Sequence, residues 1–229
     1  MGKSTSALLP SQRMRVAYLL TVVGGYLDAY TYIKRGGVFA NAQTGNVVKM
    51  GIAIARGAKD TYLQYLLPIG AFALGLFCAL AIQDQLEERG IRLKRRAVLA
   101  TEIAGLTLVG LIPLGEEHNA LANCIVSFVA AMQYEAFSTF RGDAIVTTMT
   151  TGNLRKFIDA LYLGTVRHDP QKLVQAARFF SIVIIFATGA LLGTLACNLW
   201  DRAAVVPPIV CLLLAIVIIT VLRRQNMSE

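Results

Sequence analysis

Thr44-Gly45-Asn46 and Thr151-Gly152-Asn153 are two copies of one short polar segment, each set inside an otherwise apolar stretch. Superposed at a constant offset of 107, their surroundings match as well: Leu27-Asp28-Ala29 falls on Tyr134-Glu135-Ala136, Lys34 on Arg141, Lys49 on Lys156, Ala53 on Ala160 and Gly57 on Gly164. Further on, Phe72-Ala73-Leu74-Gly75 matches Phe186-Ala187-Thr188-Gly189 at an offset of 114, and a last apolar run closes each half after Arg96 and Arg202. Self-similarity of this kind marks an internal duplication. It divides a single membrane domain, residues 1–229, into repeats 14–115 and 119–224.

The 229 residues are 55% hydrophobic and 16% charged, with a mean hydropathy of +0.57. That is too apolar for an ordinary soluble domain. Six runs, 14–33, 62–83, 97–114, 120–140, 176–198 and 203–222, each come near the roughly 20 residues needed to cross a hydrocarbon core. The expectation is an all-α polytopic membrane protein with six spanning helices. The net charge of +8 sits between the runs rather than along one face, which fits topogenic charge beside anionic lipid and not nucleic acid. Cys78, Cys124, Cys197 and Cys211 lie in or at the ends of apolar runs without metal-ligand spacing, and read as reduced packing residues. Gly2 fits the loose N-myristoylation pattern, an anchor that a chain already spanning the bilayer does not need. No cleavable signal peptide is expected, so the first run stays as the first span.

Cytoplasmic loops are enriched in Lys and Arg, and that bias arbitrates how often the chain crosses. If the Thr-Gly-Asn segments are broken or re-entrant and both termini are cytoplasmic, 16 of the 22 basic residues fall inside. Lys34, Arg35, Lys49, Arg56, Lys59 and Arg202 are left on the other side. With the segments counted as full crossings, the loop charges split almost evenly. Three spans per repeat is odd, so the second repeat enters from the opposite face. This is the inverted-repeat plan of many secondary transporters, whose sites lie at discontinuous helices near the midplane.

Small or β-branched residues precede each tripeptide, Gly36 to Ala40 and Ala144 to Thr148, and favour extended backbone. Short helices are predicted after it, over 47–55 and 154–163. Thr or Asn beside Gly then marks a helix start within the membrane, tolerated only in protein or beside a wet cavity. Two helix N-termini facing one central place favour an anion there. The candidate substrate-binding residues are therefore Thr44, Gly45, Asn46, Thr151, Gly152 and Asn153, with Lys49 and Lys156 adding positive potential. The competing reading is that the glycines pack helices and the polar side chains bond across them.

Asp28 and Glu135 occupy matching positions in matching spans. Intramembrane carboxylates are costly and mark ion or proton pathways by default, so both are candidate coupling residues. Glu102, whose repeat counterpart is Pro208, is expected to fold back toward Arg95 and Arg96. Gly189 and Gly193 form a GxxxG pair, with Gly75 and Ala79 as counterparts, and predict close helix packing. Arg155 and Asp159 are an i,i+4 pair. No Ser-His-Asp or Cys-His arrangement, P-loop or metal set is present in the sequence, so neither an enzyme nor a cofactor is expected.

Five stretches, Gly25-Tyr26-Leu27-Asp28-Ala29, Gly37-Val38-Phe39, Gln43-Thr44-Gly45-Asn46, Gln133-Tyr134-Glu135-Ala136 and Thr147-Thr148-Met149-Thr150-Thr151-Gly152-Asn153, carry a resemblance to the YoaK family of bacterial inner-membrane proteins, a domain of unknown function. Gln43 and Thr150 stand where Met is usual in that family, and Tyr134-Glu135 where Asn normally follows Gln. The resemblance implies a six-span membrane protein. Together these features predict a secondary transporter or channel in the inner (plasma) membrane for a small solute, slightly favouring an anion, with proton or cation coupling. The lipid bilayer and a small solute or ion are the expected partners, a homo-oligomer the expected assembly. The alternative is a non-transporting membrane scaffold or partner-binding subunit.

Overall fold

The computed structural model describes residues 13–88 and 95–228. Gly2 and Lys3, and Arg89, Arg92 and Lys94 of the basic cluster, lie outside the described residues. The chain forms the helices α1 (Met14–Lys34), α2 (Gln43–Ala55), α3 (Lys59–Glu88), α4 (Arg95–Leu111), α5 (Glu116–Ala136), α6 (Thr151–Val166), α7 (Pro170–Trp200) and α8 (Val206–Ser228). A 3-10 turn, Asp201–Val205, joins α7 to α8, and two-residue strands β1 (Thr139–Phe140) and β2 (Asp143–Ala144) pair antiparallel after α5. The architecture is all-α, as the sequence predicts. Two stretches among the described residues are long and apolar enough to cross a membrane: Thr61–Leu86 in α3, and Pro170–Gln225 running through α7, the turn and α8.

Local chemistry sets several of the boundaries. Asp169 caps α7, its Oδ1 accepting from the amides of Gln171 at 2.9 Å and Lys172 at 3.3 Å, and Pro170 follows with no N–H to satisfy. Beyond α1 the chain reverses through Gly36 and Gly37 at φ +82° and +75°, a left-handed backbone that glycine adopts without a Cβ clash. The end of α4 is held by two arginines. Arg35, fully buried, donates to the carbonyls of Val109, Ile112 and Pro113 at 3.0, 3.0 and 2.7 Å and to the Tyr30 hydroxyl at 3.2 Å. Arg202 donates to Gly110 O at 2.8 Å and to Leu111 O. Cations there satisfy the carbonyls a helix C-terminus leaves open and oppose its negative dipole end.

Helix directions follow from these contacts. Tyr18 meets Ser181 at 3.1 Å near one end of α1 and Lys34 meets Asp201 at 2.5 Å at the other, so α1 and α7 run parallel. Asn123, early in α5, donates to Arg35 O just past the end of α1, so α1 and α5 run antiparallel. Arg96 at the start of α4 reaches Thr220 late in α8 at 3.2 Å, while Arg202, before α8, holds the end of α4. Thus α4 and α8 are antiparallel too. The principal packing is crossed between the repeats: α1 lies on α7 and α5 on α3, with α4 and α8 against each other.

Glycine makes the crossed packing close. A Cβ at Gly25 would run into the backbone carbonyl of Phe186, and one at Gly189 into that of Val22. A Cβ at Gly193 would lie 2.8 Å from Tyr26 O. The GxxxG pair therefore serves an intrachain contact. In the partner layer, a Cβ at Gly75 would strike Phe128 O, the corresponding contact in the other half. Leu20, Leu27, Leu99, Leu106, Ile182 and Leu212 fill the interior, whereas Leu74, Phe77, Leu111, Leu121, Val174, Leu191 and Leu199 point outward. An exterior this apolar suits a hydrocarbon surround and would be a liability in water. All four cysteines are unbridged, and Cys197 is buried.

Replacing Gly25 by Ala is expected to cost about 1–3 kcal/mol, because backbone rather than a flexible side chain must yield. Thermal unfolding in detergent checks it: Gly25→Ala should melt several degrees below the parent. Gly51→Ala, whose added Cβ meets nothing within 4 Å, should not.

Candidate functional site

Each Thr-Gly-Asn tripeptide lies in the first turn of a short helix that doubles back along the extended segment before it. After the turn at Gly36 and Gly37, residues 38–41 run back along α1. Ala40 N donates to Thr31 Oγ1 at 3.2 Å, Asn41 N to Asp28 Oδ1 at 2.8 Å, and Asn41 Nδ2 to Gly24 O at 2.9 Å. From residue 34 to residue 24 is roughly 15 Å of helix, about half the length of α1. There the chain turns and α2 returns, with Asn46 beside Phe39 and Lys49 beside Gly37. The second hairpin is built alike, with residues 145–149 outside any helix or strand and α6 returning, Asn153 beside Val146 and Lys156 beside Ala144.

The Asn of each tripeptide closes its own hairpin. Asn46 Oδ1 accepts from Phe39 N at 3.0 Å, and its Nδ2 donates to Phe39 O at 2.7 Å and Gln43 Oε1 at 2.8 Å. Asn153 Oδ1 accepts from Val146 N at 3.2 Å, and its Nδ2 donates to Val146 O at 2.5 Å and Met149 O at 2.9 Å. The carboxamide takes the place of a partner strand for one residue of extended backbone. Both side chains are fully buried. Neither makes a side-chain cap to its own helix, where the N-cap positions are Ala42 and Thr150. Gly45 admits the Phe39 ring, which a Cβ would approach to 2.8 Å, while the space at Gly152 is open. Thr44, Thr151 and Gly152 are exposed on the outer faces of their helices.

Lys49 and Lys156 do not point toward the tips. Lys49 Nζ donates to Gly37 O at 2.5 Å and sits 4.1 and 4.8 Å from the Tyr32 and Phe39 ring centres. Lys156 Nζ donates to Ala144 O and lies 5.8 Å from the Phe179 ring. Each bonds to the base of its hairpin, so the charge lies at the mouth rather than the centre.

The two tips meet on α1. Asn41 bonds Gly24 O, and on the same residue a Cβ would come within 2.6 Å of Thr147 O and 3.1 Å of Thr148 Cα. From α5, Ser127 Oγ donates to Ala40 O at 3.0 Å. Asn41 and Thr148 are separated by the repeat offset of 107. Each is buried to 1% or less and each keeps one polar atom without a hydrogen-bond partner among the described residues, Asn41 Oδ1 and Thr148 Oγ1, as do Asn119, Asn123, Asp143 and Arg178 elsewhere. Buried polar atoms are nearly always bonded, and exceptions at matching positions ask for an explanation.

The acids divide differently from the sequence expectation. Asp28 is 6% exposed and receives the Asn41 amide at 2.8 Å, at the start of α2. Glu135 is half-buried near the end of α5 and makes no hydrogen bond or ion pair among the described residues. Glu102, expected to fold back toward Arg95 and Arg96, is instead 1% exposed with the Gln133 carboxamide against its carboxyl group. Gln133 in turn reaches Thr147 Oγ1 at 3.4 Å. Arg95 lies over the Phe137 ring and Arg96 bonds Thr220.

Asn41, Thr148 and Gln133 join the candidate residues on geometry alone, and so does Glu102, which the sequence places beside Arg95 and Arg96. The repeat offset that paired the tripeptides also pairs Asn41 with Thr148, and was the available signal.

The family described as "Protein of unknown function (DUF1275)" matches residues 16–218, and the chain belongs to that family. No curated protein and no solved structure matches it.

Truncating Asn46 to Ala strands the Phe39 N–H and C=O, with an expected loss of about 2–4 kcal/mol. Unfolding in detergent and hydrogen exchange at the amides of residues 39–41 check it. Exchange should accelerate in Asn46→Ala, and Asn153→Ala should do the same at residue 146.

Proposed function

We propose that this DUF1275 protein is a secondary transporter or channel for a small solute, resident in the inner (plasma) membrane with both termini cytoplasmic. Six helices span: α1, α3 and α4 in the first repeat, and α5, α7 and α8 in the second. The helices α2 and α6 belong to re-entrant hairpins that enter from opposite faces. The antiparallel courses of α1 against α5 and of α4 against α8 support inversion of the repeats, as does the bias of basic residues.

The observation that carries the transport function is the pair Asn41 Oδ1 and Thr148 Oγ1, buried and unpartnered where two hairpin tips converge. A scaffold gains nothing from desolvated polar atoms at its centre, each of which costs about 1–3 kcal/mol. A solute that supplies their missing partners recovers that cost on binding. Thr44, Thr151 and Gly152 lie on the faces by which a solute approaches the tips, while Asn46 and Asn153 hold the hairpins in shape. At the start of α6 the unpaired N–H groups of the first turn favour an anion. At the start of α2 the Asp28 carboxylate already occupies the equivalent place.

Asp28 couples solute to a proton or cation. Charged, it holds the Asn41 amide by a charge-assisted bond, roughly twice as strong as a neutral one. Neutralised, it holds the first hairpin less firmly, and the tip can leave α1. Lys49 and Lys156 set positive potential at the two mouths, and Glu135 serves as an outlying acid on the second repeat.

Proteoliposomes loaded with a pH-sensitive dye test this with chloride, nitrate, formate and acetate gradients. The expected result is anion-dependent proton movement that falls at least about tenfold, equivalent to ~1.4 kcal/mol, in Asp28→Asn and in Thr148→Val. Both variants should remain monodisperse with near-parental melting. Equal flux in parent and variants contradicts the site, and absence of flux from the parent across all four anions favours the scaffold.

A further inference from the structure

Glu102 is a fully buried carboxyl group that the proposed pathway does not use, and among the described residues the polar group set against it is the Gln133 amide. The Gln133 carboxamide sits between Glu102 on α4 and Thr147 in the second hairpin, and it can be seated two ways. With its nitrogen toward Glu102 it donates to Oε2 at 2.8 Å and Oε1 at 3.3 Å, and its oxygen faces the Thr147 hydroxyl. With its nitrogen toward Thr147 it donates to Oγ1 at 3.4 Å, and its oxygen faces the carboxyl group.

These two seats suit the two protonation states of Glu102. A carboxylate only accepts hydrogen bonds, so it requires the amide nitrogen. A carboxylic acid carries one O–H, which the amide oxygen accepts, and the nitrogen is then turned toward Thr147. In the first state Thr147 donates its hydroxyl hydrogen to Gln133, and in the second it accepts from Gln133 and must donate elsewhere. We propose that Glu102 is a second proton-binding site, and that Gln133 converts its protonation into a change of hydrogen bonding at the tip of the second hairpin. One proton is taken up from solvent and one returned, and no other bond is made or broken.

The proposal rests on the transport function above and gives it a second coupling site. Asp28 bonds the first hairpin through Asn41, and Glu102 bonds the second through Gln133 and Thr147. Thr147 is well placed to pass the change on, since its carbonyl abuts Gly24 and its neighbour Thr148 carries the unpartnered hydroxyl. The ionisable groups on the elements around Glu102 are accounted for as follows. On α5 these are the exposed Glu116 and Glu117 and the half-buried His118 at its far, N-terminal end, then Cys124 and the half-buried Tyr134 and Glu135, on α8 Cys211 and the terminal Arg223 and Arg224, and on α4 itself Arg95 and Arg96. Asp201 and Arg202 of the 3-10 turn are engaged at the other end of α4, with Lys34 and with the α4 carbonyls. Asp28 lies across the tips on α1.

Infrared spectra of the purified protein through a pH titration give a readout that needs no transport. Glu102 should contribute a carboxylic-acid carbonyl band that vanishes as pH rises. With Asp28→Asn as the background, so that the other buried carboxyl group is silent, the band should be absent in the isosteric Glu102→Gln and retained in Glu135→Gln. The second readout is maleimide labelling of Thr151→Cys in a background lacking the native cysteines, each rate divided by that of the same cysteine with Glu102→Gln. That ratio should change severalfold between acid and alkaline pH, and should become flat in Gln133→Leu, which keeps the infrared band. Survival of the band in Glu102→Gln overturns the proposal, and so does an undiminished pH dependence in Gln133→Leu. Both readouts stand even if no transported solute is found, so failure here is separable from failure of the transport function.

Discussion

Backbone that leaves a helix within an apolar surround must find hydrogen-bond partners inside the protein, because the surround supplies none. Every notable feature at the centre of this chain answers that requirement. Asn46 and Asn153 each pair the N–H and C=O of one extended residue, Phe39 and Val146. Thr31, Asp28 and Ser127 take the next backbone groups of the first hairpin. The tripeptide is therefore a device for folding a chain back on itself within the protein: in both copies Asn ties the two arms together, and in the first Gly45 also lets the Phe39 ring lie close.

Close helix packing then decides where the hairpins can end. Gly25, Gly189 and Gly193 bring α1 and α7 to backbone contact, and Gly24 admits the second hairpin. With the first hairpin bonded to the carbonyl of the same Gly24, one turn of α1 carries both tips. Asn41 and Thr148 both lie against Gly24, each with one polar atom unpartnered among the described residues, and Leu20, Leu27 and Ile145 belong to the buried core. For the proposed transport, passage between the tips needs movement of at least one hairpin, and the carboxyl groups placed to bias it are Asp28, bonded to the first hairpin through the Asn41 amide, and Glu102, which reaches the second through Gln133.

The all-α class and the breaks between α1 and α2 and between α5 and α6 were legible because each is a statement about position along the chain. Repetition at 107 residues needs no knowledge of packing. What was not legible concerns direction. Asn46 and Asn153 were placed correctly at the helix starts, yet their side chains turn back to the preceding segment rather than inward, which depends on how the hairpin closes. Lys49 and Lys156 follow them to the hairpin bases. The role of Glu102 is not legible in the sequence because its counterpart is Pro208 and basic residues stand about two helical turns before it. Only the packing of α4 on α5 sets Gln133 against it. Asn41 and Thr148 escaped notice because the repeat conserves their location and not their residue type.

The proposed transport function requires two hairpins that enter from opposite faces of a membrane and meet at its middle. Single cysteines at Arg56 and Arg167, just beyond α2 and α6, measure this directly in a background without native cysteines. Cells and inverted vesicles are treated with a membrane-impermeant maleimide. Labelling of Arg56→Cys from the outside only, and of Arg167→Cys from the cytoplasmic side only, is the predicted result. Labelling of both positions from the same side would contradict it.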